Sequence, residues 1–424
     1  MVEVQNQYTT TKVQPKDFVS GWTVGFIIAS TGLSVSTLFL GSEIALNLGL
    51  KQALIAFGIS TFVLTIMCMA TTLIGNRSRL STYMILHFSF GEYGAKIVNF
   101  IFGVTLIGWF AVAIELLAIA IYDTSISTFD VVVSKELIII VTSLFITITT
   151  VYGLRSIEKL ANFSIPILTV FLGYVFYRSV ADLESLLQLF DYVPKENSMT
   201  LFEATSILIG AAVLFPVLMA DFSRFIKTDK QSLFSVLGLT IGTPLAYMLS
   251  AVPSIQTGEV DIIKIMEQYN LVIPAFLLLF IATWSTNATN LYSASLTFST
   301  INKSWTFKKV AIAASIFGTI LALLGFATYL FDFLEFLGIL APSISSIYFI
   351  HFFFIKKQIY NLQDINKWEP SALISWALSS VICIFTYLEV FELTRAYFID
   401  SFLLGGLIYM VLERKHLFKK KVKQ

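Results

Sequence analysis

The sequence predicts an all-helical integral membrane protein with about twelve transmembrane helices. Its composition, its long apolar runs and the placement of its charges lead to this prediction. Only 13% of the 424 residues are charged, 56% are hydrophobic, and the mean hydropathy is +0.81. A soluble globular chain carries about 25% charged residues, which supply the polar shell that this chain lacks.

The apolar residues are gathered in runs that are long enough to cross a bilayer, which takes about 20 residues of helix. The runs cover residues 21–47, 52–74, 93–122, 135–153, 161–178, 203–225, 231–253, 270–300, 309–329, 333–355, 371–388 and 396–412. The first run follows a polar stretch and is long, so we interpret it as a membrane helix rather than a signal peptide.

The segments between the runs alternate in charge. The N-terminal segment, every second loop and the C-terminal segment are rich in Lys and Arg, whereas the loops between them carry mainly Asp and Glu. Because basic loops stay on the cytoplasmic side, this alternation predicts that both termini are cytoplasmic, in a multi-pass protein of the cell (inner) membrane.

Several classes of function are disfavoured. The chain has no Walker-type phosphate loop, so ATP-driven transport is not indicated. No cluster of His, Asp or Glu resembles the catalytic site of a membrane-embedded enzyme, and no soluble domain suggests a signalling receptor. Cys68 and Cys383 lie inside apolar runs and are interpreted as small hydrophobic residues. We expect no enzymatic activity, no nucleic-acid partner and no obligate protein partner.

Two runs contain residues that favour an interrupted helix, which is where transporters commonly bind substrate. The first run contains Ala29-Ser-Thr-Gly-Leu-Ser-Val-Ser36, centred on Gly32. The sixth contains Gly210-Ala-Ala-Val-Leu-Phe-Pro216. The alternative is ordinary packing, because Gly, Ser and Pro are frequent in membrane helices.

The eighth run contains a concentration of polar side chains. Ala282, Ser285 and Thr286 share one helix face, where two hydroxyls and a carbonyl offer oxygen ligands to Na⁺. Asn287 and Asn290 lie on a neighbouring face, and an amide that both donates and accepts suits the edge of a nucleobase-like ring. These residues are equally compatible with hydrogen bonding between helices.

Three further residues of the runs are candidates for function. Trp109 lies in mid-run, away from the membrane interface, and offers a flat surface for stacking. Glu43 and Glu115 also fall within runs, where a carboxylate is costly and is by default a functional candidate. Each could carry a coupling proton, bind a donor on the substrate, or form a structural hydrogen bond.

An ordered set of short motifs resembles the nucleobase–cation symporter-1 family, and is most similar to its cytosine permeases. The motifs extend over nearly the whole chain. They are Phe88-Ser-Phe-Gly91, Gly108-Trp109-Phe110, Ala220-Asp-Phe-Ser-Arg-Phe225, Trp284-Ser285-Thr286-Asn287 with Leu291-Tyr292, and Phe336-Leu337 with Pro342.

The resemblance implies the leucine-transporter-type fold, with two inverted five-helix repeats, unwound first and sixth helices and two additional C-terminal helices. The chain would then comprise a cytoplasmic segment (1–20), a ten-helix transport core (21–356), and two peripheral helices with a basic cytoplasmic tail (357–424). The function implied is uptake of a nucleobase or related small heterocycle, coupled to Na⁺ or H⁺.

The resemblance also implies site residues. The Na⁺ site would comprise Gly32, Val35, Ala282, Ser285 and Thr286. The substrate site would comprise Ser36, Trp109, Ala211, Ala212, Phe215 and Asn287, with Trp109 stacking on the ring and Asn287 reading its edge. No other cofactor is implied.

The chain departs from the cytosine permeases at the substrate site. Ala211 and Ala212 stand where those proteins offer a serine and a stacking phenylalanine, although Phe215 lies nearby. The aromatic residue expected near Ser36 is absent, and Glu43 and Glu115 are not part of the family pattern. The substrate therefore stays open among cytosine, another pyrimidine, a purine, a hydantoin-like ring and a thiamine precursor. An amino-acid or amine transporter of the same fold is the alternative.

Overall fold

The computed structural model describes residues 11–152, 154–181, 183, 186–194, 199–301, 306–394 and 396–417. Within these ranges the regular elements are helices, apart from one isolated bridge between Val19 and Ile226. Residues 1–10 of the predicted N-terminal segment and 418–424 of the predicted tail lie outside the described residues. The prediction of an all-helical chain is confirmed.

The helices follow the apolar runs, with short connections between them. They are α1 (Gly21–Thr31), α2 (Val35–Leu48), α3 (Leu50–Ser78), α4 (Thr82–Phe129), α5 (Lys135–Tyr152), α6 (Leu154–Ala181), α7 (Leu201–Ala212), α8 (Leu214–Leu218), α9 (Ala220–Ser223), α10 (Asp229–Ser235), α11 (Leu237–Thr257), α12 (Ile262–Gln268), α13 (Val272–Ile301), α14 (Phe307–Leu323), α15 (Leu330–Ile350), α16 (Pro370–Tyr387), α17 (Tyr397–Leu412) and α18 (Arg414–Leu417). A 3₁₀ turn, Phe326–Tyr329, precedes α15.

Seven helical segments of the described part are long and apolar enough to cross a membrane, by length and composition. They are Leu50–Ser78, Thr82–Ser127, Leu201–Ser223, Asp229–Thr257, Val272–Ser299, Phe326–Ile355 and Pro370–Tyr387. Shorter apolar helices cover Val35–Leu48, Pro166–Ala181 and Tyr397–Leu412. The chain is a multi-pass membrane protein, and the count of twelve spans stays a prediction.

The first predicted helix is broken where its small polar residues indicated. α1 ends at Thr31 and α2 begins at Val35, so residues 32–34 join two helical pieces. Ser34 has an extended backbone (φ −131°, ψ 161°), and its Oγ accepts a hydrogen bond from the N–H of Thr37 at 3.3 Å. This cap satisfies one N–H that the start of a helix leaves without an intrahelical partner. The predicted break around Gly32 is confirmed.

The sixth predicted helix is not unwound, so that expectation is wrong. It is divided into α7, α8 and α9, but the residues between them, Val213 (φ −60°, ψ −27°) and Met219 (φ −59°, ψ −26°), stay in the right-handed helical region. The N–H of Met219 donates to the carbonyl of Pro216 at 3.4 Å, which is a tight 3₁₀-type bond. Pro216 lacks the N–H that would bond the carbonyl of Ala212. The proline therefore alters the hydrogen bonding without opening the helix.

Backbone-to-backbone contacts at glycines hold the central helices together. A Cβ on Gly238 of α11 would overlap the carbonyl oxygen of Gly25 in α1. A Cβ on Gly210 of α7 would likewise overlap the carbonyl oxygen of Leu334 in α15. Within a bilayer the hydrophobic effect does little to drive helices together. Close packing at small residues is therefore a main source of stability.

A kink at Gly91 explains one of the family motifs. Gly91 interrupts α4 with φ +76°, a conformation that favours glycine. The N–H groups of Glu92 and Tyr93, freed by the kink, donate to the carbonyls of Asn366 and Lys367 at 2.9 and 3.0 Å. A Cβ on Gly91 would collide with the backbone of this same connection between α15 and α16. The motif therefore docks this connection onto α4.

Arg79 secures the end of the bundle where α3 stops. Its guanidinium donates to the carbonyls of Arg224 at 3.1 Å, Lys227 at 3.2 Å and Ile226. The guanidinium also lies over the ring of Phe18, with its Cζ 4.1 Å from the ring centroid. The described part of the N-terminal segment is thereby attached to the chain that follows α9.

We expect Gly210→Ala to destabilise the protein by about 1–3 kcal/mol, as is typical of overpacked sites. The added methyl group overlaps the carbonyl oxygen of Leu334 and forces α7 away from α15. Gly58→Ala is the matched control, because a Cβ at Gly58 meets no atom within 4 Å. The measurement is the unfolding temperature of the purified protein in detergent. Equal unfolding temperatures for the two variants would contradict the close contact of α7 and α15.

Candidate functional site

Trp109 lies half-buried in α4, and its indole meets the ring of Phe333 from α15. The ring centroids are 5.9 Å apart and the planes make an angle of 72°, which is a T-shaped pair. Phe333 forms a second T-shaped pair with Phe326, at 5.4 Å and 65°. Gly108 makes room for this arrangement, because a Cβ there would lie 2.8 Å from Cζ of Phe333. We call Trp109, Phe326 and Phe333 the aromatic cluster.

Glu115 holds the turn that carries one ring of the aromatic cluster. Its side chain is 2% exposed, Oε2 accepts a hydrogen bond from the N–H of Ala327 at 2.7 Å, and Oε1 lies 3.3 Å from Nζ of Lys135. Both carboxylate oxygens are thus engaged by donors, as a buried carboxylate requires. Because Ala327 follows Phe326, the bond fixes the position of that phenylalanine relative to α4.

Asn287 lies beside the residue that follows Trp109. Its side chain is fully buried, and Nδ2 donates to the carbonyl of Phe110 at 3.4 Å. Among the described residues, Oδ1 of Asn287 has no hydrogen-bond donor. A buried acceptor without a partner costs about 1–3 kcal/mol, so this oxygen is suited to a donor on a bound ligand. The structure therefore brings Asn287 and Trp109, both predicted from sequence, to the same part of the interior.

The residues predicted from the sixth helix lie close to the aromatic cluster. Ala211 packs on the same buried apolar cluster as Trp109 and Phe333. Phe215 is half-buried and packs with Trp109 on the neighbouring apolar cluster, to which Ala212 also belongs. The two alanines present only methyl groups, so the described part of α7 offers no ring for stacking at these positions.

The predicted cation ligands come from elements that meet in the interior. Val35, the first residue of α2, and Ala282 of α13 belong to one buried apolar cluster, and Gly32 precedes them at the helix break. Thr286 is half-buried one turn beyond Ala282, and the side chain of Ser285 lies outside the described residues. A helix break of this kind leaves carbonyl groups without intrahelical donors, and such carbonyls are ligands for Na⁺ in transporters.

Ser36 and Glu43 both lie on α2. Ser36 is buried in the first turn of this helix. Glu43 is half-buried, and its carboxylate accepts a hydrogen bond from Nδ2 of Asn47 at 3.2 Å. Asn47 also donates to the carbonyl of Glu43 at 2.9 Å, so the carboxylate is engaged within its own helix.

Phe326, Phe333 and Lys135 are the site residues that the sequence interpretation missed. The phenylalanines lie in a chain with 39 phenylalanines, where one more ring in an apolar run gives no local signal. Lys135 was detectable in principle. It is a basic residue at the start of the fourth predicted run, beside an outer loop where the positive-inside rule disfavours Lys, and a buried carboxylate is the partner that accounts for it.

A family model described as "Permease for cytosine/purines, uracil, thiamine, allantoin" matches residues 10–405. The chain belongs to this family. Its members are permeases, so the prediction of a transporter rather than an enzyme is confirmed. The resemblance to the nucleobase–cation symporter-1 family and its cytosine permeases is confirmed as well.

The relatives agree with this membership. The cytosine permease of Escherichia coli (strain K12) is 24% identical over 323 residues, which is 76% of this chain and 75% of that protein. The inward-facing conformation of Mhp1 is similar with a TM-score of 0.81 and 18% identity, covering 95% of this chain and 94% of Mhp1.

A closed conformation of Mhp1, a nucleobase-cation-symport-1 family transporter with bromovinylhydantoin bound, gives a TM-score of 0.79 at 17% identity and covers 97% of both chains. A Na⁺-coupled sialic acid symporter gives 0.68 at 13% identity, covering 100% of this chain and 96% of the symporter. At these identities the likeness shows a shared fold.

We expect Glu115→Ala to destabilise the protein more than Glu115→Gln. The alanine leaves the N–H of Ala327 without its acceptor, at a cost of about 1–3 kcal/mol. Glutamine keeps a carbonyl oxygen for that N–H and loses only the attraction to Lys135, which is one-third exposed. The measurement is the unfolding temperature of the two purified variants beside the wild type. An equal loss in both variants would contradict the role of the Ala327 hydrogen bond.

Proposed function

We propose that this protein is a secondary active transporter that imports a nucleobase or a related small heterocycle together with a cation, by alternating access. The observation that carries the proposal is a buried amide with an unpartnered oxygen, Asn287, bonded to the residue that follows a half-buried tryptophan, Trp109. Asn287 bonds the carbonyl of Phe110, the residue after Trp109. The bond places Asn287 against the stretch of α4 that carries Trp109, so one part of the interior supplies both a flat surface and a polar group.

The chemistry of these two side chains supports a heterocyclic substrate. The indole of Trp109 offers an apolar face for stacking. Oδ1 of Asn287 is a hydrogen-bond acceptor that a ring N–H or an exocyclic amino group can satisfy. The same oxygen makes the site selective between ligands. A ligand without a hydrogen-bond donor leaves the buried oxygen unpaired and therefore binds more weakly.

The known relatives favour the same substrate class. The family description names cytosine, purines, uracil, thiamine and allantoin. The curated relative is a cytosine permease, and the solved relative binds a hydantoin derivative. All are small molecules with polar edges, and several are planar rings. We therefore propose a pyrimidine, a purine, a hydantoin-like ring or a thiamine precursor as substrate.

The coupling cation of our proposal is Na⁺, held between the break in the first predicted helix and α13. The ligands would be carbonyls near Gly32 and Val35, the carbonyl of Ala282, and the hydroxyls of Ser285 and Thr286. Oxygen ligands of this type suit Na⁺. Proton coupling is disfavoured for Glu115, because Lys135 and the N–H of Ala327 already engage its carboxylate.

The proposal also includes the arrangement of the protein in the membrane. We propose twelve spans with cytoplasmic termini in the inner membrane, an inverted 5+5 repeat over residues 21–356 and two peripheral helices after residue 357. The basic segments beside the runs support this orientation. Ion binding at the helix break would favour the outward-open state and order the substrate site.

We expect a heterocyclic substrate to raise the unfolding temperature of the purified protein, and Na⁺ to enlarge the shift. A ligand at one hundred times its Kd stabilises a protein by about 2.7 kcal/mol. The panel comprises cytosine, uracil, purines, hydantoins and thiamine precursors, with leucine and a simple amine as comparison compounds. A shift with leucine or the amine alone would overturn the heterocycle assignment and favour an amino-acid or amine transporter.

We expect the double variant Ser285→Ala with Thr286→Ala to lose the sodium dependence of substrate binding. The matched control is Ser295→Ala with Ser299→Ala, which removes two hydroxyls of α13 that donate to carbonyls of their own helix, at 2.6 and 2.7 Å. The measurement is substrate affinity as a function of Na⁺ concentration. Sodium dependence that survives in the first variant would refute this cation site.

A further inference from the structure

We infer that Phe333 of α15 is a specificity-determining residue that supplies an aromatic wall where Ala211 and Ala212 of the sixth predicted helix present only methyl groups. The inference rests on the proposed function and names the residue that makes the site selective for planar rings. Three observations support it: the geometry around Trp109, the accessibility of the rings, and the contact between α7 and α15.

The accessible faces of α4 and α15 coincide at Trp109 and Phe333. Gly108 and Phe110 are buried, while Trp109 between them is half-buried. On α15, Leu334 is buried, while Phe333 before it is half-buried. The rings of these two half-buried side chains lie 5.9 Å apart. In our inference they border the same space.

The small residues of α7 leave this space to Phe333. Gly210 packs directly on the carbonyl of Leu334, which brings the following residues, Ala211 and Ala212, beside the start of α15. Their methyl groups cannot stack on a ring. Phe333 and Ala211 pack on the same apolar cluster as Trp109, so the aromatic side chain comes from α15 instead.

Phe333 is held in position by its neighbours on the 3₁₀ turn and on α4. Phe326 contacts it edge-on at 5.4 Å, and the turn carrying Phe326 is held by the hydrogen bond from the N–H of Ala327 to Glu115. Gly108 leaves space for the ring on the α4 side. Glu115 and Gly108 are positioning residues in this arrangement. A side chain held from two sides loses little conformational entropy when a ligand arrives.

In this inference the two rings form a corner that receives a flat molecule. Their planes meet at 72°, so a ring stacked on the indole would present its edge to Phe333 in a T-shaped contact. Oδ1 of Asn287 would accept a hydrogen bond from the edge of the same ring. Bulky non-planar substrates cannot make both aromatic contacts, so the corner selects for planarity.

The test compares Phe333→Ala and Phe333→Leu with Phe336→Ala. Phe336 is the matched control, since it lies on the same helix and is 48% exposed. The measurement is the affinity for the best ring of the panel, read from binding and from the KM of uptake. We expect Phe333→Ala to weaken binding about tenfold or more, Phe333→Leu to weaken it less, and Phe336→Ala to leave it unchanged.

A second readout separates recognition from folding. We expect the stabilisation by Na⁺ without substrate to be the same in Phe333→Ala as in the wild type, since the proposed ligands lie at the break before α2, on α2 and on α13. Loss of this sodium response together with substrate affinity would assign Phe333 a structural role and overturn the inference. Full affinity in Phe333→Ala, or an equal loss in Phe336→Ala, would overturn it too. A wild type that binds no ring would instead refute the proposed function itself.

Discussion

A bilayer offers no water to backbone N–H and C=O groups, and the rest of this structure depends on that constraint. The break before α2 and the kink in α4 are each compensated by a nearby donor or acceptor. The break before α2 is capped by Ser34, and the kink at Gly91 is satisfied by carbonyls of the connection between α15 and α16. The sixth predicted helix instead keeps its helical dihedrals through Pro216. The break before α2 is where the cation site is proposed.

The buried carboxylate of Glu115 needs hydrogen-bonding partners for the same reason. A carboxylate removed from solvent requires donors, and here Lys135 and the N–H of Ala327 provide them. The bond to Ala327 joins α4 to the turn before α15. A residue that appears in the sequence as a candidate proton carrier thus orders the aromatic rings near Trp109. The contacts of Glu115 give it a structural role, because the turn that it holds carries Phe326.

The family motifs divide into two groups according to what they contact. Gly91 makes possible a docking contact between chain segments, and Arg224 offers its carbonyl to the guanidinium of Arg79. Asn287 lies in the interior and bonds the carbonyl of Phe110, the residue after Trp109. The sequence of a motif does not show which group it belongs to. A glycine that is needed for φ +76° and a residue that is proposed to bind a ligand are both only motif residues when one sequence is considered. Their roles become distinct only when the neighbouring segments are in place.

The amino-acid sequence by itself determined the membrane class, the helical runs, the break at Gly32 and the candidates Trp109 and Asn287. These follow from hydropathy, local backbone preference and residue chemistry, all of which act over a few neighbouring positions. Tertiary structure decided that Phe333 faces Trp109, that Glu115 bonds Ala327, and that the sixth predicted helix stays helical. Such pairings join residues up to 224 positions apart along the chain, as at Trp109 and Phe333. They depend on how closely glycine lets two helices approach, which local sequence does not encode.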